Sequence, residues 1–141
     1  MIRQFTKTDI DRVIDIWLEA SIEAHDFVVS DFWESKAKDM KDVYIPSAEN
    51  YVYEKEGIIK GFISLYNDTL AAIFVSPSSQ GTGIGKELMG KAKDIRDHLN
   101  LTVYKENRKS IDFYKKCGFK IEHEQIDEHT GHPELVMTFS S

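Results

Sequence analysis

Cysteine, proline and long apolar runs are scarce in this sequence. Its 141 residues include one cysteine, Cys117, so no disulfide can form within the chain, and a reducing compartment is expected. No apolar run approaches the ~20 residues that a membrane-spanning helix needs. The first residues, Met1 to Phe5, also lack the apolar core of a secretory signal peptide. These absences predict a cytoplasmic protein with no membrane partner, and the length suits one domain over residues 1–141.

An excess of positive charge is also missing. The formal net charge is −6, which argues against nucleic acid as a partner. Residues 1–56 carry 13 acids and 7 bases, whereas residues 57–141 carry 11 of each, so the negative excess lies in the first two-fifths of the chain. Two interpretations remain open for this region: a solvated acidic helix face, or a surface that meets a cation.

Hydrophobic periodicity predicts one α/β domain with a mixed sheet. The apolar run Leu70–Val75 suits a strand that is buried on both faces. The predicted order begins with a strand at 1–5, a helix that Thr8 caps, an apolar loop at 25–29 and a second helix at about 31–43 that ends before Pro46. Three strands follow, at 51–54, 58–65 and 70–75, and then a helix from Ile84 and a strand at 101–104. The last elements are a helix capped by Asn107 and ended by Gly118, and strands at 119–123 and 134–139.

A glycine-rich stretch, Gln80 to Lys86, joins the apolar strand to the next helix. It is not a Walker A loop, because Gly85-Lys86 is followed by Glu87 instead of the Ser or Thr that holds magnesium. It is not a Rossmann fingerprint either, because its last glycine comes one residue too early. The first amides of a helix carry the positive end of its dipole, and glycine lets an anion approach them closely. Pyrophosphate is therefore a sensible ligand, and the alternative is a tight strand-to-helix connection that binds nothing.

Two motifs resemble those of the GCN5-related N-acetyltransferases (GNAT). Residues 80–85, Gln-Gly-Thr-Gly-Ile-Gly, match that family's Gln/Arg-x-x-Gly-x-Gly/Ala signature. Residues 107–119, Asn-Arg-Lys-Ser-Ile-Asp-Phe-Tyr-Lys-Lys-Cys-Gly-Phe, resemble its second signature and depart from it in a minor way around Ser110 and Ile111. Element order and length fit over nearly the whole chain. The sequence is thus similar to the small, single-domain bacterial members of the family, which implies a mixed, mostly antiparallel sheet flanked by helices.

The resemblance implies acetyl-coenzyme A (acetyl-CoA) as the cosubstrate of an N-acetyltransferase. It implies that the pantetheine arm lies like an added strand beside Ile73, Phe74 and Val75, in a gap that the family opens toward the strand at 101–104. The amide of Phe74 or Val75 is expected to stabilise the developing oxyanion. Asn107 is expected to contact acetyl-CoA at the mouth of the gap. The pyrophosphate is expected to bind at Gln80, Gly81, Thr82, Gly83, Ile84 and Gly85, with help from Lys86.

Acetyl transfer to an amine needs a group that takes a proton from the amine and one that gives a proton to the leaving thiolate. The second signature points to Tyr114 as the general acid, and the alternative is that Tyr114 is a core aromatic beside Phe113. The general base stays open, because the strand at 70–75 carries no acid or histidine. Its candidates are Asp68, His25 and Glu23.

The remaining histidines and the cysteine predict no metal site. His123, His129 and His132 do not follow a zinc-binding spacing, and no cysteine is adjacent to them, so a solvated loop is expected. Cys117 is expected to be a small buried hydrophobe beside the end of its helix.

The first two helices form the acceptor side in this family, and here they carry the acidic excess together with Trp17 and Tyr44. His25, Phe27 and Trp33 are the candidate substrate-binding residues. An acidic, aromatic site suits a cationic primary amine, which can be a protein lysine, an N-terminus or a small amine. Two rival functions remain: a sensor or interaction module that binds acetyl-CoA without turnover, and an enzyme that transfers a longer acyl chain or acylates a hydroxyl. Monomer and homodimer both stay open.

Overall fold

The computed structural model describes every residue from Met1 to Ser141. None of its helices combines the length and the apolar character that crossing a bilayer requires. In chain order the elements are β1 (Ile2–Gln4), a 3-10 turn (Lys7–Asp9), α1 (Ile10–Ala24), α2 (Ser30–Asp39), a π turn (Met40–Tyr44), the single turn α3 (Ile45–Ser47), β2 (Glu49–Lys55), β3 (Ile58–Tyr66), β4 (Thr69–Val75), a 3-10 turn (Pro77–Ser79), α4 (Ile84–Ile95), β5 (His98–Tyr104), α5 (Arg108–Lys116), β6 (Lys120–Ile126) and β7 (Pro133–Ser140).

One sheet runs through the molecule in the strand order β1-β2-β3-β4-β5-β7-β6. All neighbouring strands are antiparallel except β4 and β5, which are parallel. The predicted mixed, mostly antiparallel sheet is therefore confirmed. β5 pairs with β7 along its whole length, but it meets β4 at one pair, Thr69 with Asn100. Beyond that pair the two strands separate, and this gap is where the site forms.

Two hydrophobic cores lie on opposite faces of the sheet, because side chains alternate along each strand. On β3, for example, Phe62 faces the core beside α1 and α2, whereas Ile63 faces the core beside α4 and α5. The first core joins the sheet to α1 and α2, and its fully buried members include Val13, Ile16, Val52 and Phe62. The second joins the sheet to α4 and α5, and its fully buried members include Ile63, Leu88 and Met137. The helices therefore form a layer on each face of the sheet.

The prediction that β4 is buried on both faces was wrong. Leu70 and Ala72 are buried, but Ala71 is exposed and Ile73 to Val75 are half-exposed. The register explains part of this, since Leu70 pairs with Leu65 and Ala72 with Ser64, which leaves Ala71 as the extra residue of a β-bulge. The rest follows from the gap toward β5, because no strand covers the far half of β4.

Two predicted helix boundaries differ in the structure. Thr6, rather than Thr8, precedes the first helical turn, and its backbone N–H donates to Asp9 Oδ2 at 2.8 Å. Pro46 lies inside the last helical turn instead of after it. The π turn leads into α3, where proline occupies one of the first two positions. The helical run thus continues through Pro46, and the Ile45 N–H, one residue earlier, still donates to Met40 O.

The predicted ends of α5 are confirmed. Asn107 Oδ1 accepts a hydrogen bond from the Ser110 N–H at 3.3 Å and caps the start of the helix. Gly118 has φ +95° and ends it: its N–H donates to Lys115 O, and the Phe119 N–H donates to Tyr114 O, both at 3.0 Å. This pattern of two bonds closes the helix with a glycine in the left-handed conformation. Both ends of the helix that carries Tyr114 are thus held.

A buried carboxylate ties the start of α1 to the sheet. Asp9 receives two hydrogen bonds from the Arg3 guanidinium, at 2.8 and 3.0 Å, and Arg3 also pairs with Glu54 on β2. The bonds from Arg3 lower the pKa of Asp9 to about 2 against the opposing effect of its burial. The network therefore favours the charged form of Asp9 in the folded state.

We expect Asp9→Asn to lower the free energy of unfolding at neutral pH by about 2 kcal/mol. The folded pKa lies below that of a free carboxyl group, so the contribution is fully present above pH ~4 and is lost as the pH falls toward ~2. Urea unfolding between pH 2 and 7 measures both effects. Asp15→Asn, on the exposed side of α1, is the matched control. An equal loss in both variants, or an unchanged acid profile for Asp9→Asn, would contradict the assignment.

Candidate functional site

The gap between β4 and β5 opens into a cleft of about 1100 Å³. The far half of β4, the glycine-rich stretch, the start of α5 and the end of α1 line it. The cleft contains ten of the eleven predicted acetyl-CoA-binding residues, and these are Ile73, Phe74, Val75, Gln80, Gly81, Gly83, Ile84, Gly85, Lys86 and Asn107. Thr82 lies outside the lining, and its hydroxyl donates to Ser79 O at 2.5 Å.

The glycine-rich stretch presents a row of free backbone donors. None of the seven consecutive N–H groups from Gln80 to Lys86 has a protein acceptor, and the first bond into α4 is from the Glu87 N–H to Gly83 O at 3.1 Å. Gly83 has φ +87°, and a Cβ atom at this position would have no atom within 4 Å. Free amides at a helix start, with open space before them, fit the pyrophosphate of acetyl-CoA.

The backbone of β4 also offers donors to the gap. The Ser76 N–H bonds to Lys60 O at 2.8 Å, and the register then makes Phe74 with Phe62 the next hydrogen-bonded pair. Because the bonds of an antiparallel ladder alternate, the N–H groups of Ile73 and Val75 point away from β3 and toward the gap. The Phe74 N–H therefore donates to β3 and is not free to stabilise an oxyanion. Of the two amides expected in that role, only that of Val75 faces the gap. Ile73, which has the right orientation, was missed because the bulge that sets the alternation is not visible in the sequence.

Positive charge borders the glycine-rich stretch. Lys86 on α4 and Arg108 and Lys109 at the start of α5 line the cleft, and Lys109 Nζ lies 3.5 Å from Gln80 Oε1. Arg108 and Lys109 were not selected from the sequence, although they directly follow Asn107 in the second signature. This side of the cleft is suited to a polyanionic ligand.

Tyr114 lines the same cleft and packs against Phe113 and Phe119 at ring distances of 5.6 and 5.8 Å. Its hydroxyl has no hydrogen-bond partner in the protein and is accessible from the cleft. Burial, with a smaller contribution from Cys117, raises the pKa of Tyr114 well above its usual value. The phenol therefore keeps its proton at neutral pH, as a proton donor must.

Asn107 is arranged differently from what was expected. Its Oδ1 caps α5, and its Nδ2 lies 3.3 Å from His25 Nε2, so both polar atoms of the side chain already have protein partners. Asn107 is also buried. The structure thus connects the start of α5 to the residue that ends α1, a contact that spans 82 positions in the sequence.

Aromatic rings surround His25 at the end of α1. Trp33 stacks on the imidazole with 4.9 Å between ring centroids, and Tyr104 and Phe27 contact it edge-on at 5.2 and 5.8 Å. Of the three candidate substrate-binding residues, His25 and Trp33 line the cleft. Phe27 does not: it packs behind His25, against Tyr104 and His132.

The acidic lining of the cleft has a different origin from the one expected. Glu23 is the only cleft carboxylate that comes from residues 1–56, and α2 adds Lys36 instead. The other carboxylates come from the charge-balanced part of the chain and gather around Tyr104. Glu134 is paired with Tyr104 in the β5–β7 register, the Tyr104 hydroxyl donates to Asp127, and Glu106 lies 3.5 Å from His132.

Asp127 and Tyr104 are a coupled pair at this end of the cleft. Burial acts to raise the pKa of Asp127, but hydrogen bonds from Tyr104 and Thr130 outweigh it and hold that pKa below its usual value. Burial and the bond to Asp127 raise the pKa of Tyr104. Asp127 therefore stays negative at neutral pH. Neither residue was selected from the sequence, because 23 positions separate them.

The candidate bases are not equivalent in space. Asp68 lies exposed in the β3–β4 turn, at the end of β4 opposite the glycine-rich stretch, and does not line the cleft. Glu23 is exposed at the cleft, and His25 is buried in its wall. Asp68 is thereby removed as a candidate.

The other singled-out residues lie away from the reacting groups. His123 is on the exposed strand β6, and His129 and His132 are in the β6–β7 loop, with His129 in the cleft lining. Cys117 is half-buried beside the second core, and its carbonyl accepts a hydrogen bond from Lys93 Nζ. Burial raises the pKa of this thiol, which makes it a poor nucleophile.

Known proteins resemble this chain in sequence. A family model described as an acetyltransferase (GNAT) domain matches residues 46–121. The peptidyl-lysine N-acetyltransferase YiaC of Escherichia coli (strain K12) is 33% identical over 99% of this chain and 96% of the relative. The peptidyl-lysine N-acetyltransferase YjaB of Salmonella typhimurium is 29% identical over 85% of this chain and 83% of the relative.

A solved structure gives the same overall fold. The PaiA N-acetyltransferase from Thermoplasma acidophilum, in complex with coenzyme A, superposes with a TM-score of 0.83 at 20% identity, over all of this chain and 98% of that one. Together with the family model and the relatives, the two motifs and the cleft establish the family. The chain belongs to the GCN5-related N-acetyltransferase (GNAT) family and is an acetyl-CoA-dependent N-acetyltransferase.

Proposed function

We propose that the protein acetylates the side-chain amine of lysine in a peptide or protein, with Tyr114 as the general acid. The observation that carries this proposal is the division of the cleft: free amides and cations on one side, carboxylates and aromatic rings on the other. The first side suits an anionic phosphate group and the second suits an ammonium ion on an apolar stem. The names of the relatives YiaC and YjaB support lysine as the acceptor.

Acetyl-CoA supplies the acetyl group as a thioester. The chain holds it through the N–H groups of Gln80 to Lys86, with Lys86, Arg108 and Lys109 adding charge attraction. The open edge of β4 holds the peptide-like arm, since strand addition uses backbone bonds. The N–H of Ile73 or Val75 then stabilises the negative charge that develops on the acetyl oxygen. Tyr114 gives its hydroxyl proton to the departing sulfur.

The acceptor enters from the carboxylate-bearing side. Glu106, Asp127 and Glu134 attract an ammonium ion and raise its rate of encounter. Trp33 and Tyr104 offer ring faces and edges to the methylene stem of lysine. His25 and Trp33 therefore remain substrate-side residues in this proposal, and Phe27 acts behind them. A protein N-terminus would use the same charges without filling the apolar wall, because its amine has no methylene stem.

We expect free thiol to be released with acetyl-CoA and lysine-containing peptides, and not with the same peptides in which lysine is replaced by arginine. Peptides whose only amine is a free N-terminus, tested at equal concentration, should react at least about tenfold more slowly, because an α-amine has no methylene stem to fill the apolar wall. Spermidine, whose arms do carry such a stem, is compared at the same concentration. Faster turnover with spermidine or an N-terminus would refute lysine as the acceptor. Acetyl-CoA binding without thiol release from any amine would instead indicate a sensor. Competition among acyl-CoA thioesters tests a longer acyl chain.

We expect Gly83→Ala to weaken acetyl-CoA binding by about tenfold or more, because a Cβ would occupy the space in front of the helix amides. Gly57→Ala is the matched control: Gly57 also has a positive φ and no atom within 4 Å of a Cβ, but it lies in the β2–β3 turn. Calorimetric titration of both variants separates ligand exclusion from backbone strain. Equal affinities in the two variants would rule out the assigned role of the glycine-rich stretch.

We expect Tyr114→Phe to lower kcat by about 10²–10⁴-fold while acetyl-CoA affinity stays nearly unchanged, because one hydroxyl is removed and almost no volume. The loss should shrink with a thioester whose leaving thiol is more acidic, since that thiolate needs a proton less. Tyr53→Phe, a half-buried tyrosine on β2 outside the cleft, is the control. A Tyr114→Phe rate within about threefold of the parent would mean that another group supplies the proton.

A further inference from the structure

His25 is held in one tautomer. Its Nδ1 lies 2.9 Å from the backbone oxygen of Ser21. A carbonyl oxygen only accepts hydrogen bonds, so Nδ1 carries the proton and Nε2 carries the lone pair. Asn107 supports this assignment independently, because its Oδ1 accepts from the Ser110 N–H and its Nδ2–H is thus the group that faces Nε2, at 3.3 Å. The imidazole therefore presents a basic nitrogen at the cleft wall.

The surroundings of His25 favour an imidazolium once it forms. Nδ1 binds a carbonyl of the last turn of α1, where the helix dipole is negative and stabilises a positive charge. The Trp33 face adds a cation–π contact at 4.9 Å. In the resting state, burial lowers the pKa of His25 against the opposing effect of the Ser21 bond. The ring is neutral at rest, and it has support for a proton that arrives on Nε2.

Charged groups from several elements lie in the same cleft or in the same segment as His25, and none of them forms an ion pair with it. Glu23 and Asp26 flank it on its own segment, Lys36 faces the cleft from α2, and Tyr104 contacts it from β5. Around these lie the cleft groups at the start of α5 and on the β6–β7 side, which are Glu106, Arg108, Lys109, Asp127, His129 and Glu134. The only histidine–carboxylate contact within 4.0 Å in the molecule is that of His132 with Glu106. Titration of His25 thus reflects its burial and helix contact more than one ion pair.

We propose that His25 is a catalytic residue, whose Nε2 takes a proton from the acceptor ammonium. This inference rests on the proposed function. One N–H bond of the ammonium breaks, its electron pair stays on nitrogen as the lone pair that attacks the acetyl carbon, and the proton forms the imidazolium. After the attack the nitrogen loses its second proton to the Tyr114 phenolate, which restores the phenol that gave its proton to sulfur. The imidazolium returns its proton to solvent before the next turnover, so each cycle releases one proton.

Asn107 has a defined part in this step. Its Nδ2–H donates to the same lone pair over a long 3.3 Å contact, so the incoming ammonium competes with it. A long hydrogen bond is weak and is displaced at low cost. Asn107 thus acts as a positioning residue that fixes the direction of Nε2 until the acceptor arrives.

The test compares the parent, His25→Asn and His123→Asn on two acceptors. One is a lysine peptide, whose amine has a pKa near ~10.4 and is charged at neutral pH. The other is the same peptide with a hydrazide in place of the lysine amine, which is neutral at that pH. Asparagine can keep the bond to the Ser21 carbonyl, and His123 lies on the exposed strand β6. Thermal melts and acetyl-CoA titration check folding and cosubstrate binding.

We expect His25→Asn to lower kcat/KM for the lysine peptide by about 10²–10³-fold at pH 7. The same substitution should change kcat/KM for the hydrazide peptide by less than about threefold. The deficit for lysine should disappear as the pH approaches ~10, where the amine loses its proton unaided. His123→Asn should match the parent throughout. An equal, pH-independent loss for both acceptors would show that His25 only maintains the structure, and would overturn the proposal.

Two further outcomes stay distinct. If His25→Asn does not fold, the parent enzyme alone provides the test. The apparent pKa on the acid side of its kcat/KM–pH profile is compared with the pKa of the His25 imidazole measured by NMR. A mismatch between the two values overturns the proposal. If the parent acetylates spermidine but not lysine peptides, the proposed function fails while the role of His25 is tested on spermidine with the same variants.

Discussion

The active site depends on the incomplete pairing of two parallel strands. β4 and β5 meet at a single residue pair and then separate. A closed sheet would bond the backbone of Ile73 and Val75 to β5 and leave no cleft. Because the strands separate, the far half of β4 becomes an open edge in the middle of the sheet. An edge of free amides is normally a liability, and here a peptide-like cosubstrate can pair with it. The bulge at Ala71 sets which of these amides face the gap.

The gap also determines what the helix ends do. The N-termini of α4 and α5 both border it, so the free amides at the start of α4 lie beside the cations Lys86, Arg108 and Lys109. The C-terminus of α1 borders it on the opposite side, where the Ser21 carbonyl binds the His25 ring. One cleft thus receives positive helix ends on one side and a negative helix end on the other. This division follows from the order of the elements and does not depend on net charge.

The proposed proton donor, Tyr114, and the proposed proton acceptor, His25, both line this cleft. Burial keeps Tyr114 protonated and keeps His25 neutral, because desolvation disfavours the charged form of both an acid and a base. A proton donor and a proton acceptor can therefore coexist at the same pH. The caps of α5, which Asn107 and Gly118 form, hold Tyr114 on a short helix, and the Asn107–His25 contact links that helix to the end of α1.

The sequence by itself determined the features that arise from local spacing. Periodicity and turn residues were sufficient to predict the order of strands and helices, the caps of α5 and the glycine-rich helix start, because these depend on residues within a few positions of one another. Only the tertiary structure decided the rest. The β-bulge, the contact of His25 with Asn107, the Tyr104–Asp127 pair and the true origin of the acidic lining join residues that are far apart in sequence. Such pairings follow from strand register and from the packing of elements, and neither leaves a local pattern in a single sequence.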